Sequence, residues 1–188
     1  MNNKIFATII ALSMLSGCAS KPETIVLQPN VTNMQGKVYQ DHSAKLVVSD
    51  LRSTNHVVEV LGIEKPSTMI DASSSLQSVL NTEFSEELAS QGLKVSNDSK
   101  VKLQFLVERA RTYVNQDVLD YRANTIIKLK VKVDTVTQTM SKTFTQRATS
   151  RGAFDADMED LQIDFNRQLS KLISKVLTDQ QLQEFIKG

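Results

Sequence analysis

The sequence predicts an α+β domain, a two-layer sandwich in which two amphipathic helices pack on one face of a mainly antiparallel sheet. Three observations carry this expectation. Apolar and polar residues alternate along 101–107 and again along 125–139, the period of a half-buried strand. Apolar residues recur every three to four positions along 71–91 and 157–176, the period of a helix with one buried face. Strand-like and helix-like stretches follow one another in the order β-β-α-β-β-β-α, separated by short polar turns.

Each element has its own justification. Leu46, Val47 and Val48 sit in a run over 44–51, and Val57, Val58, Val60 and Leu61 in a run over 56–63; both read as strands, with 52–55 as the turn between them. From Asp71 to Gln91, Leu76, Val79, Leu80, Phe84 and Leu88 line one helical face, Ser74 and Gln77 fit a capping box, and Gly92 marks the stop. Val101, Leu103, Phe105 and Val107 alternate with Lys102 and Gln104. Ile127, Leu129, Val131 and Val133 alternate with Lys128, Lys130, Lys132 and Asp134. A turn over 139–142 leads to a strand over 143–152, completing an antiparallel hairpin. Met158, Leu161, Phe165, Leu169, Leu172 and Val176 make the second helix, and Thr178 and Asp179 break it before a short final helix with Leu182, Phe185 and Ile186.

The N-terminus sets the address. Lys4 precedes a mostly apolar run from Ile5 to Leu15, about 16 Å long at about 1.5 Å per helical residue, against a hydrocarbon core of about 30 Å. Residues 1–17 therefore read as a signal peptide and not as a spanning helix. Leu15-Ser16-Gly17-Cys18 resembles the bacterial lipobox, and Cys18 is the single cysteine of the chain. It is the expected lipidation site, and acyl chains hold a domain on a bilayer without a spanning helix. By resemblance to enterobacterial-type sorting rules, in which an Asp at this position favours inner-membrane retention, Ala19 implies the periplasmic face of the outer membrane.

Residues 18–40 carry Pro22, Pro29 and Gly36 among polar residues and read as the lipidated Cys and a tether, with a reach of about 70 Å at about 3.3 Å per residue. The apolar island Ile25-Val26-Leu27 fits either this free tether or an edge strand docked on the domain, and the sequence does not choose. Residues 41–188 form a single periplasmic domain.

Composition narrows the function classes. Across 188 residues, 22 Lys and Arg balance 21 Asp and Glu, which disfavours nucleic acid as a partner. Removing 1–17 takes Lys4 and no acid, leaving the mature chain formally neutral. One cysteine excludes an internal disulfide or a multi-Cys metal site. His42 and His56 are too few for a metal centre, the scattered glycines form no phosphate loop, and Ser73-Ser74-Ser75 sits where a helix start needs capping, outside any nucleophile setting. Glu83, Glu86 and Glu87 lie on the polar side of the first helix, while Asp155, Asp157, Glu159 and Asp160 crowd the positive end of the second. No enzyme, cofactor or metal is expected.

Taken together, the lipobox, Thr24-Ile25-Val26-Leu27-Gln28-Pro29, the helix running into Gln91-Gly92-Leu93-Lys94-Val95 and the ending Glu184-Phe185-Ile186-Lys187 resemble the YajG-type uncharacterised lipoproteins of Gram-negative bacteria. That resemblance implies a lipoprotein and transfers no catalytic residues.

The distinctive surface feature is basic. The strand phases send Lys102, Lys128, Lys130, Lys132, Arg147 and Arg151 to the open face of the sheet, with Glu108 and Asp134 as nearby acids. This is either a solvated face that lysine keeps from pairing, or a contact surface for an acidic envelope partner, such as a protein, peptidoglycan or anionic headgroups. The leading expectation is a non-enzymatic binding or accessory module. The rival readings are a lipid or small-ligand carrier, which needs an apolar cavity between helices and sheet, and a wall-binding protein. The oligomeric state is not legible.

Overall fold

A computed structural model of the chain describes residues 24–31, 36–62 and 66–188. In chain order the elements are β1 (Ser43–Asp50), β2 (His56–Leu61), β3 (Thr68–Asp71), α1 (Leu76–Ser90), β4 (Lys94–Val95), β5 (Lys102–Gln116), β6 (Asp120–Asp134), β7 (Thr139–Ala153), α2 (Met158–Leu177) and α3 (Gln180–Lys187). The α+β class holds. The strands form one seven-stranded sheet built around β5.

One edge of β5 takes β6, and β6 takes β7, giving a meander of three 15-residue strands. The other edge of β5 is shared. β1 pairs in parallel with Lys102–Val107, and β2 pairs in parallel with Thr112–Asn115. β4 adds in parallel to β1, and β3 adds antiparallel to β2. Half of the strand pairings are thus parallel, and the sheet is mixed, which corrects the expectation of a mainly antiparallel one. The physical reason is α1. A helix between β2 and β5 forms a crossover connection, and crossovers deliver parallel neighbours where tight turns deliver antiparallel ones.

The 52–55 segment is corrected for the same reason: it is no hairpin turn, because β1 and β2 lie end to end along the same neighbour. Where they part, Arg52 fills the gap. Its side chain is 7% exposed and pairs with Asp50 at 2.7 Å, while Nη1 donates to the carbonyls of His56 (3.3 Å) and Ala110 (3.1 Å). Ala110 lies in the part of β5 that neither β1 nor β2 covers. The guanidinium therefore supplies a donor where the strand break removes one, as buried carbonyls require.

β5 contains a second irregularity. Buried residues run Leu103, Phe105, Val107 and then Ala110, Thr112, Val114, a phase change caused by a bulge at Glu108 between Val107 and Arg109. β6 keeps a single phase from Tyr121 to Val133. These buried positions share one face, against which α1 and α2 lie. The Phe84 ring of α1 stacks on Phe105 at 3.9 Å, and Gln168 of α2 accepts from Gln146 of β7 at 2.8 Å. α1 sits over β1 and β4, α2 over β6 and β7.

Helix boundaries follow local chemistry. α1 begins after Ser75, whose side chain makes no capping bond, so the capping box expected at Ser74 does not form; Thr68–Asp71 is strand instead. It ends in a Schellman pair, Gly92 N–H to Ala89 O and Leu93 N–H to Leu88 O, both 2.9 Å, with Gly92 at φ +90°. Asp157 caps α2 by accepting from Glu159 N–H, and Asp179 caps α3 by accepting from Leu182 N–H.

Of the two readings of the 25–27 island, the structure has the docked one. Ile25, Leu27 and Pro29 point inward and are buried. Ile25 forms a parallel bridge with Ala72, and Val26 N–H donates to Gln162 of α2 while Asn166 of α2 bonds both Val26 O and Gln28 N–H. The side-chain amides of one helix stand in for a neighbouring strand.

Candidate functional site

The sheet face opposite the helices carries the basic residues, and strand register fixes their order. Lys45 of β1 is the partner of Lys102 of β5, and Lys102 also faces Asp134 of β6. Further along β6, Lys132 faces Gln104, Lys130 faces Leu106, and Lys128 faces Arg109 at the bulge. On the β7 side, Arg147 faces Ile126 and Arg151 faces Arg122. All six residues predicted from sequence, Lys102, Lys128, Lys130, Lys132, Arg147 and Arg151, fall on this face. With neighbouring strands about 4.8 Å apart, they form one continuous field.

Register also adds residues that sequence reasoning missed. Lys45 joins because β1 pairs in parallel with β5, and a pairing between distant segments leaves no local mark. Arg109 and Arg111 follow the bulge, which breaks the alternation that would have extended the strand. Arg122 was lost because β6 starts at Asp120, five residues before its regular apolar pattern.

Acids neutralise only part of the field. Lys128 pairs with Glu108 (2.8 Å), Lys132 with Asp134 (2.9 Å) and Arg111 with Glu59 (3.0 Å). Asp134 is the most engaged acid. The Lys132 ammonium bonded to it, with the Thr139 hydroxyl at 2.7 Å and the Gln104 amide at 2.8 Å, holds its carboxyl below the usual range. Among the described residues, Lys45, Lys102, Lys130, Arg122, Arg147 and Arg151 have no ion pair. The face also carries Thr143, Thr145 and Thr149 from β7, with half-buried Leu106 and Ile126 between the cations. It offers charge, hydroxyls and flat apolar ground over a rigid sheet.

Other candidate chemistry resolves into structure. His42 bridges the carbonyls of Gln40 and Lys187 across the chain ends, and His56 meets Asp71 at 3.2 Å. No group of three or more metal-ligating side chains converges among the described residues. The serine run serves the chain path: Ser73 N–H donates to Ile25 O and Ser75 precedes α1. Burial, with Glu86 and Glu87 nearby, raises the Glu83 carboxyl, and no nucleophile or base faces it in the contacts described. A groove of about 870 Å³ runs along the outer side of α2 beside Gln28, Asn166, Arg167 and Lys171, away from the interior between helices and sheet. No helix among the described residues is long and apolar enough to cross a membrane. Cys18 and residues 1–17 lie outside the described residues.

Residues 29–187 match the protein family described as "Uncharacterized lipoprotein". The chain belongs to that family. The lipoprotein YajG of Escherichia coli strain K12, itself uncharacterized, is 26% identical over 194 residues, covering 100% of this chain and 98% of YajG. The YajG of E. coli strain CFT073 gives the same values. Among solved structures, protein XCC0632 from Xanthomonas campestris superposes with a TM-score of 0.59 at 17% identity, over 81% of this chain and 91% of its own. Another uncharacterized protein gives 0.52 at 12% identity, over 82% and 97%. These two establish kinship of fold alone. Family membership and YajG similarity agree with the resemblance read from the sequence and make the chain a lipoprotein relative.

Proposed function

We propose that this family member is an outer-membrane lipoprotein, held at the periplasmic face by lipid on Cys18, whose domain binds an acidic envelope partner on the open face of the sheet. It works as a non-enzymatic binding or accessory module. One observation carries the reading: Lys45, Lys102, Lys130, Arg122, Arg147 and Arg151 share a solvent-facing sheet with no acid partner among the described residues, in a mature chain whose charges balance overall. Like charges crowded on a rigid surface repel one another, and an anionic partner relieves that repulsion. The partner is an envelope protein or the carboxylates of peptidoglycan. Placement of the 870 Å³ groove on the polar side of α2, with stacked Phe84 and Phe105 inside, favours this over a lipid carrier.

Two experiments test it. Cys18→Ala is expected to move the protein from the membrane to the soluble periplasmic fraction, and retention in the membrane would refute the anchor. Photo-crosslinkers at Lys130 and Arg147, with Glu86 on α1 as control, are expected to capture an adduct in intact cells only from the sheet face. A discrete protein band names a protein partner, and muropeptide mass identifies the wall. Equal capture at Glu86 would refute the assignment of the face.

A further inference from the structure

Val118 and Leu119, in the turn between β5 and β6, are 84% and 74% exposed, and Phe154, just past β7, is 68% exposed. They share one end of the sheet, because Phe154 N–H donates to Leu119 O at 2.9 Å and closes the ladder beyond Asp120 and Ala153. Phe154 has φ +63°, a conformation rarely taken by bulky residues, and it is used here to hold an aromatic ring out in water. Among the described residues, nothing covers this tip. Single exposed apolar residues are ordinary, but three large ones at the outermost point of a long hairpin call for an occupant.

The path of the N-terminal chain says what that occupant is. β2 runs parallel to β5, and β3 runs antiparallel to β2, so β3 descends from the tip end of the sheet, where Thr68 faces Val60, toward its middle, where Asp71 faces His56. Ile25 is bridged to Ala72 in parallel, so the chain before Ile25 leads back toward the tip. The helix contacts agree. Val26 bonds to Gln162, one turn into α2, and α2 starts five residues after the Ala153 end of β7. Thr24 therefore leaves from beside the middle of the sheet, heading toward the end that bears Val118, Leu119 and Phe154. From Thr24 back to Cys18 the chain spans at most about 20 Å at about 3.3–3.6 Å per residue. A 15-residue strand is about 50 Å long, so from the middle of the sheet the tip is about 25 Å away, and the direction taken by Thr24 and Ile25 turns the chain that carries Cys18 toward the tip and away from the opposite end.

We propose that Val118, Leu119 and Phe154 are a second membrane contact, seated in the boundary between headgroups and acyl chains of the bilayer that holds the lipid at Cys18. This rests on the anchor reading above. Asp117, Asp120 and Asp155 flank the tip, so the surface it fits is one of zwitterionic headgroups over apolar chains, such as phosphatidylcholine or phosphatidylethanolamine, and not a strongly anionic one. Two contacts in place of one fix the orientation of the domain. The long axis of the meander stands away from the membrane, and the basic sheet face turns sideways into the periplasm.

The test uses the full-length lipidated protein in phosphatidylcholine vesicles. Lipid on the Cys18 sulfur leaves an introduced cysteine as the reactive thiol, so Val118→Cys and, at the far end, Thr137→Cys each take an environment-sensitive fluorophore. The label at 118 is expected to shift to the blue and to be quenched about twofold or more by lipids carrying shallow spin labels, while the label at 137 reports water. Adding Leu119→Ser and Phe154→Ser to Val118→Cys is expected to return its label to the behaviour at 137. Protein that floats with the vesicles while both labels report water overturns the contact and leaves the anchor standing. Protein that fails to float overturns the anchor and this inference with it.

Discussion

Replacing Arg52 with Ala tests the way the sheet tolerates its broken strand. The guanidinium makes two bonds to Asp50 from Nε (2.9 and 3.2 Å), a third from Nη2 (2.7 Å), and two to the backbone carbonyls of His56 and Ala110. Asp50 is itself 16% exposed, so truncation leaves a carboxylate and two carbonyls with poor access to water. Removing one partner of such a pair costs about 3–5 kcal/mol. For a domain of this size that corresponds to a fall in Tm of about 6–20 °C. Urea titration followed by far-UV circular dichroism is the assay, since the chain has no tryptophan to report by fluorescence. Arg52→Lys keeps the charge but lacks the planar fork that reaches carboxylate and carbonyl together, and should recover less than half of the loss. The double variant Asp50→Ala/Arg52→Ala should cost less than the sum of the single ones by at least about 1 kcal/mol. A loss below about 1 kcal/mol for Arg52→Ala would refute the view that this side chain closes the gap between β1 and β2.

Other residues offer sharper, smaller tests. Gly92→Ala forces a side chain into the left-handed region that closes α1, and should cost about 1–2 kcal/mol by the same titration; no change would contradict the Schellman assignment. Tyr39 is fully buried, its hydroxyl has no partner among the described residues, and burial with Asp179 nearby pushes its phenol far above the ordinary value. Tyr39→Phe should therefore leave stability unchanged or raise it by about 1 kcal/mol, and a loss of that size would reveal a partner for the hydroxyl. Burial first, then Glu86 and Glu87, raises the Glu83 carboxyl, so its charged form opposes folding at neutral pH. Glu83→Gln should stabilise the protein at pH 7, and the gain should fade as pH drops through the raised carboxyl pKa toward the ordinary carboxylate value near about 4.3, where wild-type Glu83 is neutral as well. A gain that persists undiminished at low pH would show another cause.

How much of this was legible in the sequence depends on whether the signal was local. β6 was readable because Ile127, Leu129, Val131 and Val133 keep one phase, and the six cations placed from that phase and its neighbours share a face. Gly92 ended α1 where the sequence said it would. The second half of β5 was hidden by the bulge at Glu108, which makes a continuous strand look like the end of one. β3 was absorbed into the approach to α1 because four residues carry too little periodicity to stand alone. The parallel pairings of β1 and β2 with β5, and the amide contacts of Gln162 and Asn166 with Val26 and Gln28, join segments far apart in the chain, and no local pattern announces them. For the candidate site this meant that Lys45 and Arg122, two of its unpaired cations, entered only with the register.

Binding of an acidic partner by the unpaired cations of the sheet face is the function proposed for the domain. The most direct measurement places a photo-crosslinker at Thr143, the register partner of Lys130, in the full-length protein and in its Lys102→Glu/Lys130→Glu/Arg147→Glu variant, and compares adducts in intact cells. These three side chains have no ion pair to lose among the described residues, so the variant should keep the wild-type circular dichroism spectrum and Tm. A discrete adduct is expected in the wild type and should disappear on charge reversal. The same adduct at the same yield from the reversed face would contradict it.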